Sequence, residues 1–147
     1  MHEYRTPISL IFIGLLLITV IACEKTEGEG SGGVSPSSSE PRILEAFTCA
    51  DVQDNLPLGI DNQFFVDETI YLWMHWENVQ GDHSMRVLWV DPDNDIIEKT
   101  QTFTSESGFY TIYFWIDTSS SAPVGQWLAE IYLNGYLIRS YTFWLDA

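Results

Sequence analysis

The sequence predicts an all-β sandwich from Ile43 to Ala147, and three observations carry that prediction. Apolar residues alternate with polar ones over short runs, the period of half-buried strands. The runs are separated by clusters of Asp, Asn, Gly, Pro and Ser, which are turn residues. Asn134-Gly135 sits between two such runs, and both central residues of a type I′ hairpin turn need positive φ. No amphipathic helix interrupts the pattern.

The elements follow in order. Ile43 to Ala50 reads as a first strand, Asp51 to Asp61 as a loop, and Asn62 to Asp67 as a short extended piece around Phe64-Phe65. Thr69 to Val79 alternates, with Ile70, Leu72, Met74 and Trp76 on one face and Tyr71, Trp73, His75 and Glu77 on the other. Gly81-Asp82-His83 reads as a turn before a strand over Ser84 to Val90. Asp91 to Asp95 turns again into Ile96 to Phe103. Phe109 to Ile116 is dense in aromatic and β-branched residues, and Asp117 to Pro123 is a Ser-rich loop. Trp127, Ala129, Ile131 and Leu133 alternate with Leu128, Glu130 and Tyr132; after the hairpin, Tyr141, Phe143 and Leu145 share a face.

About seven strands with turns between them match an immunoglobulin-like sandwich. Trp89-Val90-Asp91-Pro92-Asp93, Gly125-Gln126-Trp127, Ile131 to Gly135 and Phe143 extend the match. They resemble a recurring bacterial immunoglobulin-like domain with a Trp-x-Asp-Pro-Asp turn and a closing Gly-x-Trp hairpin. The resemblance implies the fold and a setting on lipoproteins or secreted proteins. It implies no particular activity, since such sandwiches host many. There is no Cys…Trp…Cys framework of the antibody type.

Residues 1–42 read differently. A polar start with Arg5 leads into Ile8 to Ile21, which is almost wholly apolar. A spanning helix wants roughly 20 apolar residues, so this run is too short and reads as a secretory signal over 1–22. Val20-Ile21-Ala22-Cys23 resembles the bacterial lipobox. The resemblance implies diacylglyceryl transfer to the Cys23 sulfur, cleavage before it, and attachment to a membrane through lipid alone. Acyl chains hold at about 0.8 kcal/mol per buried methylene. Residues 23–42 are rich in Gly, Ser and Glu and are expected to form a disordered tether with a reach of roughly 25 Å.

Composition narrows the partners. From Ile43 onward there are three Lys and Arg against sixteen Asp and Glu, a formal charge of −13. Such a domain repels phosphate backbones, so nucleic acid is not an expected partner. With Cys23 lipidated, Cys49 has no disulfide partner and reads as a small core hydrophobe.

The candidate chemistry is thin. Asp91, Asp93 and Asp95 are spaced like the start of a calcium loop, but Ile96 and Thr102 stand where that loop needs Gly and Glu. They are kept as weak metal candidates; no cofactor is expected. His75 shares a face with Glu77, yet no nucleophile elbow or zinc motif accompanies it, and no enzyme is expected. The aromatics carry more. Tyr71, Trp73, Tyr110, Tyr132 and Trp144 are expected on outward faces, where such rings anchor partners or stack on sugars. The binding candidates are Tyr71, Trp73, His75 and Tyr132. The reading is a membrane-tethered envelope lipoprotein whose domain is a non-catalytic binding or accessory module for another envelope protein; the alternative is a carbohydrate- or wall-binding module using exposed aromatic residues. Trp127 is expected in the core, and Trp73 is expected outward and cheap to remove.

Overall fold

The computed structural model describes residues 40–147. The expected signal peptide, the lipobox-like stretch ending at Cys23 and the expected tether as far as Ser39 lie outside the described residues. Within them the chain forms nine strands and no helix. They are β1 (Arg42–Gln53), β2 (Leu56–Ile60), β3 (Gln63–Phe65), β4 (Thr69–Glu77), β5 (Gly81–Val90), β6 (Ile96–Ser105), β7 (Phe109–Asp117), β8 (Gly125–Leu133) and β9 (Tyr136–Asp146). Two sheets result, a four-stranded one in the order β2-β1-β4-β7 and a five-stranded one in the order β3-β9-β8-β5-β6. All pairings are antiparallel except β3 on β9.

The alternation assigned by sequence sets the inner faces. Ile70, Leu72, Met74 and Trp76 of β4 face Met85, Val87 and Trp89 of β5 and Trp127, Ala129 and Ile131 of β8 across one core. Three rings converge on Phe143: Trp89 at 5.9 Å, Trp127 at 6.0 Å and Phe64 at 6.1 Å between centroids. Edge-to-face and tilted contacts of this kind add to the burial of the rings themselves. Phe64 explains the parallel strand, because β3 delivers that one ring to the core. The Trp127 indole N–H donates to the Pro123 carbonyl at 2.9 Å.

The turn at Asp91 packs on the start of β8. Asp91 Oδ1 accepts the backbone N–H groups of Asp93 (2.9 Å) and Asp95 (2.8 Å), so this carboxylate caps its own turn. Pro92 then lies against Gly125, whose φ is +133°; a Cβ there would stand 3.2 Å from Pro92 Cγ. The two motifs of the sequence resemblance are thus one packed corner. Gly125→Ala is expected to cost about 1–3 kcal/mol, from a backbone conformation alanine resists and a contact it crowds. Urea melts with an unchanged slope would read this as a stability loss.

Several expectations are corrected. The stretch from Asp51 to Asp61 is not a loop. β1 runs on to Gln53, Asp54-Asn55 turns with φ of +50° and +62°, and β2 returns. Asp and Asn tolerate the left-handed region and so replace Asn-Gly in this tight turn. Pro57 and Gly59 suggested a loop, but β2 is an edge strand, where proline is tolerated. Strand β5 starts at Gly81, and the reversal expected at Gly81 to His83 falls at Asn78 to Gln80, with Asn78 at φ +58°. Tyr110 points inward: β7 pairs it with Trp76, and it stacks on Phe103 at 4.1 Å.

Candidate functional site: the outward face of the four-stranded sheet

Directly paired residues share a face, so the register defines what this sheet turns outward. Across β1, β4 and β7 the outward rows are Phe47, Trp73 and Tyr113; Cys49, Tyr71 and Trp115; and Glu45, His75 and Thr111. The β2 residues Leu56, Leu58 and Ile60 continue this face beside Gln53, Asp51 and Cys49. A solvated sheet face ordinarily carries polar side chains. Here most positions are aromatic or aliphatic.

The face has a covered part and an open part. The Trp73 indole N–H donates to the Asn55 carbonyl at 2.7 Å. Asn55 is the tip of the β1–β2 hairpin, and β1 leaves its pairing with β4 after Cys49. The hairpin therefore curls over the sheet and closes on the indole. Trp73 is only 5% exposed and Cys49 is fully buried. The expectation that Trp73 is an open ring is overturned, because a neighbouring hairpin, not water, lies over it. Burial pushes the Cys49 thiol above its ordinary value, with Asp51 adding to the rise and backbone hydrogen bonds opposing it. An inert thiol follows.

Trp73 stacks between Phe47 (6.0 Å) and His75 (6.2 Å), and His75 stacks on Phe109 (6.2 Å), all with planes within 16°. His75 Nδ1 lies 2.9 Å from Thr111 Oγ1. Glu77 is instead ion-paired with Arg42, so His75 and Glu77 do not act as a pair. The open part lies beside the β7 edge and along β2. Trp115 is 46% exposed, Phe109 54%, Leu58 42% and Ile60 55%.

The structure thus brings Tyr71, Trp73 and His75 together and separates them from Tyr132. Tyr132 lies on the outward face of β8 in the other sheet. Its hydroxyl donates to Glu130 Oε2 at 2.9 Å, and the Arg86 guanidinium sits 4.5 Å over its ring. Trp144 is half exposed on β9 of that sheet. Four further aromatic residues belong to the face without having been singled out by sequence: Phe47 on β1 and Phe109, Tyr113 and Trp115 on β7. For the three on β7 alternation was the available signal, since the outward set is every second residue from Phe109. Asp91, Asp93 and Asp95 sit in the capped turn, far along the chain from this face. Among the described residues no group of three or more His, Cys, Asp or Glu is placed to hold a metal ion.

The sandwich has counterparts among solved structures. An immunoglobulin-like protein of Pseudomonas aeruginosa superposes with a TM-score of 0.53 at 13% identity, over 75% of this chain and 99% of that one. The domain is an immunoglobulin-like β-sandwich. The alkylpurine DNA glycosylase of Pseudomonas fluorescens, solved with DNA containing an abasic-site analogue, superposes with a TM-score of 0.55 at 15% identity. That match covers 74% of this chain but only 31% of the glycosylase. At such identities the likeness is one of fold. No protein-family model and no curated protein matches the sequence.

Proposed function

We propose that this chain is a membrane-tethered lipoprotein of the cell envelope and that its immunoglobulin-like domain is a non-catalytic binding module for another envelope protein. The docking surface is the outward face of the four-stranded sheet. One observation carries the reading: this face exposes Phe109, Trp115, Leu58 and Ile60 together, each by 42% or more. Exposed apolar groups gathered on a sheet face mark interaction surfaces; the five-stranded sheet also exposes Ile96, Tyr136, Leu137 and Trp144, by 47% or more. The free edge of β7 extends the surface, since its nine residues include no Lys or Pro to blunt it.

A carbohydrate module is the second reading. It needs open, parallel rings. The parallel row Phe47, Trp73, His75 and Phe109 has the right planes, but its central indole is covered by Asn55. The half-buried rings Tyr71 and Tyr113 and the exposed Trp115 are inclined to one another by 34–60°. A protein surface tolerates such facets better than a sugar ring does. The charge of −13 from Ile43 onward speaks against nucleic acid for this chain.

The anchor rests on Val20-Ile21-Ala22-Cys23 after an apolar run too short to span. Cys23→Ser is expected to move the protein from the membrane fraction to the soluble fraction; retention in the membrane would remove the anchor assignment. For the docking face, photo-reactive residues placed at Phe109 and Leu58 are expected to capture a discrete partner in cells. Absence of any adduct from both positions overturns the binding reading.

A further inference from the structure

We propose that Tyr71, Tyr113 and Trp115, flanked by Asp51 and Asp117, form a receptor for a cationic side chain, an arginine or lysine presented by the partner protein. The inference rests on the docking face described above and adds the chemistry of what docks there.

The three rings touch one another: Tyr71 to Tyr113 at 6.1 Å, Tyr71 to Trp115 at 6.3 Å and Tyr113 to Trp115 at 6.3 Å. Tyr71 and Trp115 are direct cross-strand partners, and Tyr113 precedes Trp115 by one outward position. Ring faces carry negative potential, and an indole is the strongest of them toward a cation. Asp117 is the next outward residue of β7. Thr69 Oγ1 donates to its Oδ1 at 2.7 Å, which fixes the carboxylate and leaves Oδ2 open among the described contacts. Asp51 is fixed likewise by the backbone N–H of Val52 and the side chain of Gln53, both at 2.8 Å. Burial first, and then the carboxylates of Asp51 and Asp117, push the Tyr71 phenol above its ordinary value. The register places both carboxylates beside the Tyr71–Trp115 pair, each one outward position further along its strand: Asp51 after Cys49 on β1 and Asp117 after Trp115 on β7.

The other cations of the domain make the contrast. Arg86 lies over Tyr132, and Arg139 lies 6.0 Å from the Tyr141 ring centroid and donates to its hydroxyl at 3.0 Å. Arg42 is paired with Glu77. Lys99 lines the groove between β6 and β7 beside Tyr113 and Trp115, and it makes no ion pair or cation–π contact among the described residues. Two tyrosines of the five-stranded sheet thus carry their own guanidinium groups. Among the described residues the three-ring cluster makes no cation–π contact, with Lys99 the nearby cation, although two carboxylates border it. The charge of −13 from Ile43 onward favours encounter with a basic partner.

The test uses the full chain labelled with 5-fluorotryptophan, whose six tryptophans report separately by fluorine NMR. Trp115→Phe assigns the Trp115 signal. The probe is an acetylated Gly-Arg-Gly-Arg-Gly amide, with the citrulline version as its uncharged isostere and phosphocholine as a lipid-headgroup cation. The arginine peptide is expected to shift the Trp115 signal saturably, and the citrulline peptide at least about fivefold more weakly. Asp117→Asn and Tyr113→Leu should each weaken the arginine peptide roughly two- to fivefold, and added salt should weaken it further. The other indole signals, unmoved in these variants, certify the fold. Equal binding of the citrulline peptide overturns the cation receptor while leaving the docking face standing. An unmoved Trp115 signal overturns it as well. Phosphocholine acting at lower concentration than the peptide assigns the rings to a lipid headgroup and overturns the protein source. Failure of the docking face itself would show as absent adducts in cells, independently of this titration.

Discussion

Trp127→Ala is expected to lower the unfolding free energy by about 3–5 kcal/mol, the range for removing a buried large aromatic. The ring is 3% exposed, packs on Phe143 and donates its N–H to the Pro123 carbonyl. Removing it empties one side of the aromatic cluster around Phe143, and Trp89 and Phe64 lose part of their support. It also leaves the Pro123 carbonyl without its donor, at the corner that holds Pro92 against Gly125. A loss of this size is a large fraction of the stability of a domain of about 105 residues. Urea melts followed by tryptophan fluorescence measure it; a loss below about 1 kcal/mol would mean that β8 does not pack as described.

Trp73→Ala is expected to cost nearly as much, although its side chain lies on the opposite face of its sheet. The indole is stacked between Phe47 and His75 and capped by the Asn55 carbonyl. Truncation removes both stacks and unpins the tip of the β1–β2 hairpin. Trp73→Phe separates the contributions. It keeps the stacking and loses one hydrogen bond, for about 0.5–1.5 kcal/mol. Trp115→Ala is the reference, since a half-exposed ring has little burial to lose. Equal small losses for Trp73 and Trp115 would contradict the covered hairpin.

Period-two patterning was enough to read the sandwich. The inward sets Ile70, Leu72, Met74 and Trp76, and Trp127, Ala129, Ile131 and Leu133, are all buried as alternation required. Asn134-Gly135 turns with both φ values positive, at +51° and +87°. What alternation cannot report is what lies over an outward residue. Trp73 was placed on the correct side of its sheet, but its cover comes from Asn55, eighteen positions away in sequence. The hairpin that supplies it was hidden because Asp54-Asn55 is a weaker turn signal than Asn-Gly and because Pro57 and Gly59 favour loops. The same limit split the site. Tyr71, Trp73, His75 and Tyr132 look equivalent by pattern, yet strand order puts Tyr132 in the other sheet. Trp115 and Tyr113 were legible only as members of an aromatic strand. Their place beside Tyr71 needed the pairing of β4 with β7.

The lipobox-like stretch ending at Cys23 and the acidic domain with an apolar sheet face meet in the proposed envelope role. On the proposed reading, a lipid anchor would confine the domain near its partner, raising the effective concentration so that a modest surface suffices.

The most direct measurement is position-specific photo-crosslinking of the full chain in cells. It compares Phe109 and Leu58, on the outward face of the four-stranded sheet, with Thr142, exposed on β9 of the other sheet. A discrete adduct from Phe109 and Leu58 that is missing from Thr142 is the predicted result. Adducts from Thr142 alone, or the same products from all three positions, would contradict a docking surface on the four-stranded sheet.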